Sequence, residues 1–68
     1  MTTREFDVIG SIVAGLSNKE IADKLSISLQ TVKHHLTSIF DKTGVSSRLD
    51  LALFAVSHRL IEDDGADA

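Results

Sequence analysis

The chain has 68 residues, no cysteine, no proline and a formal net charge of −3. This length forms one small domain, and without cysteine the chain has neither disulfides nor a Cys-based metal site. No apolar run approaches the roughly 20 residues of a membrane span, and the acidic N-terminus lacks the basic region of a signal peptide. We therefore expect a cytoplasmic protein without a membrane partner.

No stretch alternates polar and apolar residues, so the sequence predicts an all-α fold. The first helix starts at a capping box, Thr2 to Glu5, and ends at Gly15. Its apolar stripe comprises Phe6, Ile9, Ile12, Val13 and Leu16. Glu5 lies near the edge of that stripe, which leaves two interpretations. It is a capping residue only, or it also forms an ion pair with a base from another helix.

A second capping box, Ser17 to Glu20, opens a short helix over residues 18–25. Its buried side comprises Ile21, Ala22 and Leu25. The link over residues 26–28 is long enough only for a turn, and we expect Ile27 to pack into the core. A longer helix follows, so the two helices form a helix-turn-helix arrangement.

Helix three runs from its N-cap Ser28 to Gly44, which stops it. Its buried face is predicted to hold Val32, Leu36, Ile39 and Phe40. The opposite face, with its flank, holds Gln30, Lys33, His34, Thr37 and Asp41. Such a polar face is either ordinary hydrated surface or a surface that reads the edges of bases.

Helix four is predicted over residues 47–60 and is apolar nearly all round. The side chains that can pack on the body are Leu51, Ala52 and Ala55. A second set has coiled-coil-like spacing, and we predict that it forms a dimer interface: Leu49, Leu53, Val56 and Leu60. Either a partner covers this set, or there is one broad core stripe with Phe54 folded over it. We favour the partner, because a short helix in so small a domain cannot bury every apolar residue.

The charge distribution bears on nucleic-acid binding. Residues 1–61 form the predicted domain and carry 7 basic against 6 acidic side chains, while residues 62–68 form an acidic tail that we expect to be disordered. Residues 17–48 carry a net charge of +2, from 5 basic and 3 acidic side chains. One copy of the domain should therefore bind DNA weakly.

Nothing in the sequence indicates an enzyme. The glycines are scattered and form no phosphate loop. His34 and His35 are adjacent, about 100° apart on a helix, so they cannot share a metal ion as an i, i+4 pair would, and His58 belongs to another helix. We expect no catalytic residues, no metal and no cofactor.

The polar face of helix three fits the major groove, where an α-helix can distinguish all base pairs. We expect base contacts from Lys33, His34 and Thr37. We expect contacts to the DNA backbone from Asn18, Lys19, Gln30, Thr31 and His35. Gln30 can alternatively bond adenine, and His35, which should be half-buried, either contacts a phosphate or only packs.

Residues 15–48, GLSNKEIADKLSISLQTVKHHLTSIFDKTGVSSR, resemble the LuxR/FixJ (GerE-like) helix-turn-helix family of bacterial transcription regulators. The family's opening Leu-Thr-x-Arg-Glu is similar to Met1–Glu5, and its GlSNKEIA and TVKxH motifs match Gly15–Ala22 and Thr31–His35. The resemblance implies a four-helix domain, winged-helix-like but without a wing, that binds DNA as a dimer. Helix three would enter the major groove and helix four would form the dimer contact.

Three departures from the family stand out. Asp41 should repel phosphates and Thr37 is often basic in the family, so the expected DNA affinity is lower. Arg59 replaces a common glycine, so helix four should run on past its usual end.

The resemblance also implies partners. These are double-stranded DNA, a second copy of the chain, an N-terminal receiver or ligand-binding domain, and RNA polymerase. The chain is either a stand-alone member or, as we favour, the C-terminal output domain of a two-component response regulator, associated with the nucleoid when bound. The alternatives are a helical protein-interaction module with little DNA binding and a sigma-factor-like promoter-recognition domain, which the SNKEIA and TVKHH motifs fit less well.

Overall fold

The computed structural model describes residues 1–59, which form four helices and no strand. The helices are α1 (Thr3–Val13), α2 (Asn18–Leu25), α3 (Leu29–Thr43) and α4 (Arg48–Ser57). The all-α prediction and the order of the helices are confirmed. No helix in this part of the chain is long and apolar enough to cross a membrane. The predicted acidic tail, residues 62–68, lies outside the described residues.

Both predicted capping boxes are present. At the start of α1, Glu5 N–H donates to Thr2 Oγ1 (3.2 Å), and Thr2 N–H donates to Glu5 Oε1 (2.8 Å). Ser17 and Glu20 repeat this exchange at the start of α2 with the same two distances. Each box satisfies two backbone donors that the first turn of a helix would otherwise leave unpaired. The two helices therefore begin where the sequence predicts.

The end of α1 confirms the predicted stop at Gly15. Gly15 has a φ of +87°, the left-handed region that residues with a Cβ rarely enter. Its N–H donates to Ile12 O, and the N–H of Leu16 donates to Ser11 O, both at 3.0 Å. This pair of hydrogen bonds is a Schellman motif, which turns the chain sharply toward α2.

The turn of the helix-turn-helix is built around Ser26, which has a φ of +57°. The N–H of Ile27 donates back to Ala22 O (3.0 Å), so the turn closes α2 much as Gly15 closes α1. Ile27 is half-buried against the core, as expected. Ser28 then caps α3, and its Oγ accepts from Thr31 N–H (3.1 Å).

The core lies where α1 packs against α3 and α4 and where α2 packs against α3. Its buried apolar members are Val8, Ile9, Ile12, Ile21, Ala22, Val32, Leu36, Ile39, Leu51 and Ala55. The predicted stripe of α1 omitted Val8, which is fully buried because α1 is covered by two helices rather than one. Ser11 is buried as well, and its hydroxyl donates to Asp7 O (3.0 Å).

The prediction for the end of α4 is wrong. The helix was expected over residues 47–60 and past its usual end, but it stops at Ser57. Arg59 has a φ of +56°, and its N–H donates to Val56 O (3.1 Å). A left-handed residue cannot continue a right-handed helix, and this conformation costs a residue with a Cβ about 1–2 kcal/mol. Arg59 thus adopts, in spite of its side chain, a conformation that glycine adopts more readily.

Candidate nucleic-acid interface

The polar face predicted for α3 is exposed. We refer to its members as the α3 outer face: Gln30, Lys33, His34, Thr37 and Asp41 are all exposed to solvent. On the other side of the helix Val32 and Ile39 are fully buried and Leu36 nearly so. The helix therefore presents one continuous row of hydrogen-bonding side chains, held from behind by the core.

A long-range ion pair fixes α3 to α1. Lys42 Nζ, in the last turn of α3, lies 2.8 Å from Glu5 Oε1 and 3.1 Å from Glu5 Oε2. The side chain of Glu5 is only 3% exposed. Of the two interpretations of Glu5, the ion pair is therefore confirmed, and it exists together with the capping role.

The surroundings of Glu5 favour its charged form. The bond from Lys42, followed by the bond from the Thr2 N–H, lowers the pKa of Glu5 from its usual 4.5 to about 2. The carboxylate therefore stays ionised over the whole physiological range. The capping box of α2 acts in the same direction, since the bonds from Ser17 lower the pKa of Glu20.

Thr37 has a restricted role in any DNA contact. Its hydroxyl donates to the backbone oxygen of Lys33 (3.0 Å), one turn earlier in α3. While that bond is made, the oxygen can only accept a hydrogen bond. Base amino groups, adenine N6 and cytosine N4, are donors, whereas a phosphate is an acceptor. Thr37 is thus suited to a base and poorly suited to a phosphate.

The start of α3 places the half-buried Thr31 beside its cap. Thr31 Oγ1 and Ser28 Oγ lie 2.8 Å apart, and either can be the donor. Helix starts attract anions because their first N–H groups lack partners within the helix. One turn later His35 is half-buried, as expected, with its ring tilted against that of His34 at 6.4 Å between centroids.

Asn18 and Lys19, at the start of α2, differ in their exposure and their contacts. Lys19 is exposed, whereas Asn18 is half-buried and accepts a hydrogen bond from Arg48 Nη1 at 2.6 Å. The other terminal nitrogen of Arg48, Nη2, donates to the backbone oxygen of Leu16. Sequence reasoning placed Arg48 at the end of the segment that resembles the family and among the local positive charges, but assigned it no contact. Its place directly after the N-cap serine of α4 does not reveal the partners either.

The other exposed feature is apolar. We refer to Leu49, Leu53 and Val56 as the α4 outer face; they are 70%, 61% and 38% exposed. Leu51 and Ala55, on the inner side, are fully buried, and Ala52 is half-buried, so the predicted body-facing set is confirmed. The alternative of one broad core stripe is wrong. Phe54 stacks on His58 (ring centroids 4.1 Å apart), and Leu60 lies outside the described residues.

A shallow open cavity of about 340 Å³ borders the α4 outer face. It is lined by Ile12 from α1 and by Arg48, Leu49 and Ala52 from α4. Within residues 1–59, no cluster of three His, Asp or Glu side chains is placed to hold a metal ion. The two exposed faces and this cavity are the main surface features of the described residues.

The chain is similar to known regulatory proteins. Residues 1–55 match the family model described as GerE, bacterial regulatory proteins, luxR family. The chain is 48% identical over 60 residues to the uncharacterized transcriptional regulatory protein YhcZ of Bacillus subtilis, covering 88% of this chain and 28% of that protein. It is 39% identical over 62 residues to the oxygen regulatory protein NreC of Staphylococcus aureus, covering 91% of this chain and 29% of that protein. The chain thus spans less than a third of the length of these curated relatives.

Proposed function

Because the chain belongs to the luxR family of bacterial regulatory proteins, whose members regulate transcription by binding DNA, we propose that the α3 outer face reads bases in the major groove. The resemblance stated from residues 15–48 is confirmed, and with it the class of DNA-binding transcription regulator. The observation that carries the proposal is the exposed row of donors and acceptors on a helix whose opposite side is buried in the core.

Within this proposal Lys33, His34 and Thr37 contact base edges. All three are exposed, and they lie within the first three turns of α3, the part of the second helix that usually reaches bases. Lys33 is suited to guanine O6 and N7. Thr37, whose proton is engaged by the backbone of α3, is suited to a base amino group. Asp41 lies further along the same face, where it opposes a close approach of phosphates.

The DNA backbone is proposed to run past the starts of α2 and α3. The residues proposed to contact it are Asn18, Lys19, Gln30, Thr31 and His35. Lys19 supplies an exposed positive charge, and Thr31 lies at a helix start that favours anions. These contacts fix the orientation of the domain without reading sequence.

We propose that two copies bind together through the α4 outer face, extended by Leu60. Two leucines that are more than 60% exposed on one helix are unfavourable in water and mark a surface for a partner. The neighbouring cavity would accept side chains from the second copy. A dimer would then read two half-sites about one helical turn apart. It would also offset the weak charge of one copy.

The whole regulator is proposed to be longer than this chain. We infer that the domain is the C-terminal output domain of a two-component response regulator, with a receiver domain before it, because relatives such as YhcZ are more than three times as long as the matched part. In that role it would act in the bacterial cytoplasm, on the nucleoid, and would influence RNA polymerase.

Fluorescence anisotropy with a labelled duplex tests the function. The duplex would be selected by the domain from a random pool, and a shuffled duplex of equal composition serves as the control. On both duplexes, log Kd should rise linearly with the logarithm of the salt concentration. The selected duplex should be bound more tightly than the shuffled one. Equal and salt-independent binding to the two would contradict the proposal.

The second candidate is a helical interaction module with little DNA binding. The exposed apolar face of α4 and the net charge of −3 favour it. It predicts self-association in sedimentation together with no anisotropy change on any duplex, so the same titration distinguishes the two candidates.

A further inference from the structure

We propose that Arg48 is a positioning residue for DNA: it holds the amide of Asn18 so that its NH₂ group faces the phosphate backbone. This inference rests on the proposed function, since it assumes that the start of α2 contacts DNA. It goes beyond that function by giving a residue of the dimerisation helix a defined part in the DNA contact.

The geometry of the contact is specific. Arg48 is the first residue of α4, is half-buried, and reaches across to the start of α2. Nη1 donates to Asn18 Oδ1 at 2.6 Å, and Nη2 donates to the backbone oxygen of Leu16. The two acceptors lie on either side of the N-cap Ser17, so one guanidinium clamps the turn that opens α2.

The chemistry of arginine determines which way the amide points. A guanidinium has five N–H donors and no acceptor. The branch of the Asn18 amide that faces Arg48 must therefore be its oxygen. The NH₂ branch then faces away from Arg48, and two N–H donors are what a phosphate, an acceptor only, requires. Without Arg48 the amide could rotate and present its oxygen to the phosphate, where the two acceptors would repel each other.

The bond to Leu16 O adds a second constraint. That oxygen belongs to the residue that follows the left-handed Gly15, at the exit of α1. A planar guanidinium that bonds two acceptors at once fixes both orientation and distance, which a lysine ammonium does not. Arg48 thus holds the start of α2 in register with α4, next to Leu49 of the α4 outer face.

The salt dependence of binding separates a direct phosphate contact of Arg48 from a positioning role. If Arg48 contacted a phosphate itself, removing it would reduce the salt dependence of binding by about one counterion. If it acts through the neutral Asn18, the affinity falls but the slope of log Kd against log salt is unchanged. If Arg48 only stabilised the fold, its removal would leave the slope of log Kd against log salt unchanged. Its effect on DNA affinity would then not be coupled to that of Asn18.

The test is a double-mutant cycle on affinity for the selected duplex, with Arg48→Met, Asn18→Ala and the double variant. Each single variant should lose about tenfold, the value of one hydrogen bond to a charged group. The double variant should bind DNA no more weakly than the weaker-binding single variant, because both substitutions remove the same contact. Affinities are compared at a temperature at which circular dichroism shows each variant fully folded.

Arg59→Met is the matched control, because it removes the same charge just beyond the opposite end of the same helix. It should change affinity less than Arg48→Met does. If Arg48→Met does not fold, Arg48→Lys replaces it; this variant keeps the charge, and its affinity should still fall with the slope unchanged.

Three results would overturn the inference: wild-type affinity in Arg48→Met, losses that multiply in the double variant, or a salt slope reduced by about one. In each of these the wild-type domain still binds DNA, so the proposed function stands. If the wild type itself does not bind either duplex, it is the proposed function that fails.

Discussion

Two exposed helix faces of this domain differ in what they imply about partners. The α3 outer face is polar and charged, while the α4 outer face is apolar, with Leu49 70% and Leu53 61% exposed. The polar face is stable in water and needs no partner. Each square ångström of apolar surface left in water rather than buried costs on the order of 25 cal/mol of free energy. The proposed partner for α4 therefore rests on energetics, whereas the proposed DNA contact of α3 rests on shape, hydrogen-bonding chemistry and family.

The largest expected effect separates the two sides of α4. Leu51→Ala should lower the free energy of unfolding by about 2–5 kcal/mol, because Leu51 is fully buried and the surrounding core cannot close the cavity. Leu53→Ala, two residues away and exposed, should change it by less than about 0.5 kcal/mol. Urea denaturation followed by circular dichroism measures both. Equal losses would mean that the outer face is part of the fold.

Lys33→Ala tests the α3 outer face. It should cost about 1–3 kcal/mol of binding free energy on the selected duplex if Lys33 bonds a base. On the shuffled duplex the loss should be smaller, since only a base contact depends on sequence. A gel-shift titration with both duplexes gives the comparison. The same loss on both would assign Lys33 to the phosphates, and no loss on either would remove it from the interface.

Leu53→Lys tests the α4 outer face. A buried lysine in a dimer contact is unfavourable, so self-association should weaken by about tenfold or more. Binding to a duplex with two half-sites should weaken with it, while binding to a single half-site should stay near that of the wild type. Sedimentation and anisotropy measure the two effects. A wild type that is monomeric at high concentration, and is unaffected by Leu53→Lys on both duplexes, contradicts the dimer.

The smallest expected effect concerns the ion pair between Glu5 and Lys42, which joins α1 to α3. Because the pKa of Glu5 falls from 4.5 to about 2 on folding, its contribution to stability is present above pH 4.5 and is lost as the pH falls toward 2. Glu5→Gln should lack this component, so the difference in Tm from the wild type should shrink over that interval. Other carboxyl groups titrate in both proteins and cancel. Parallel Tm profiles would show that the ion pair with Lys42 does not stabilise the fold.

Sequence reasoning located most of this architecture because local chemistry determines it. The capping boxes at Thr2 and Ser17 and the left-handed Gly15 act within a few residues of themselves. Helical periodicity likewise predicted which side of α3 is buried. The exposed α3 and α4 outer faces follow from the same periodicity.

The remainder depends on tertiary contacts that no local pattern encodes. Val8 is buried because two helices cover α1, and the partners of Arg48 lie 30 and 32 residues away in sequence. The premature end of α4 depends on a left-handed arginine, which contradicts the usual preference for glycine. The site residues themselves remain predictions, placed by the structure on exposed or half-buried positions.

The central claim is that the α3 outer face reads sequence. The most direct test is selection of bound duplexes from a random pool, performed in parallel with the wild type and with Lys33→Ala, followed by sequencing. We expect the wild type to enrich a motif of two half-sites about one helical turn apart. We expect Lys33→Ala to lose preference at one base pair of each half-site while keeping the others. A wild-type pool without any enriched motif, or identical motifs for the two proteins, would contradict the account.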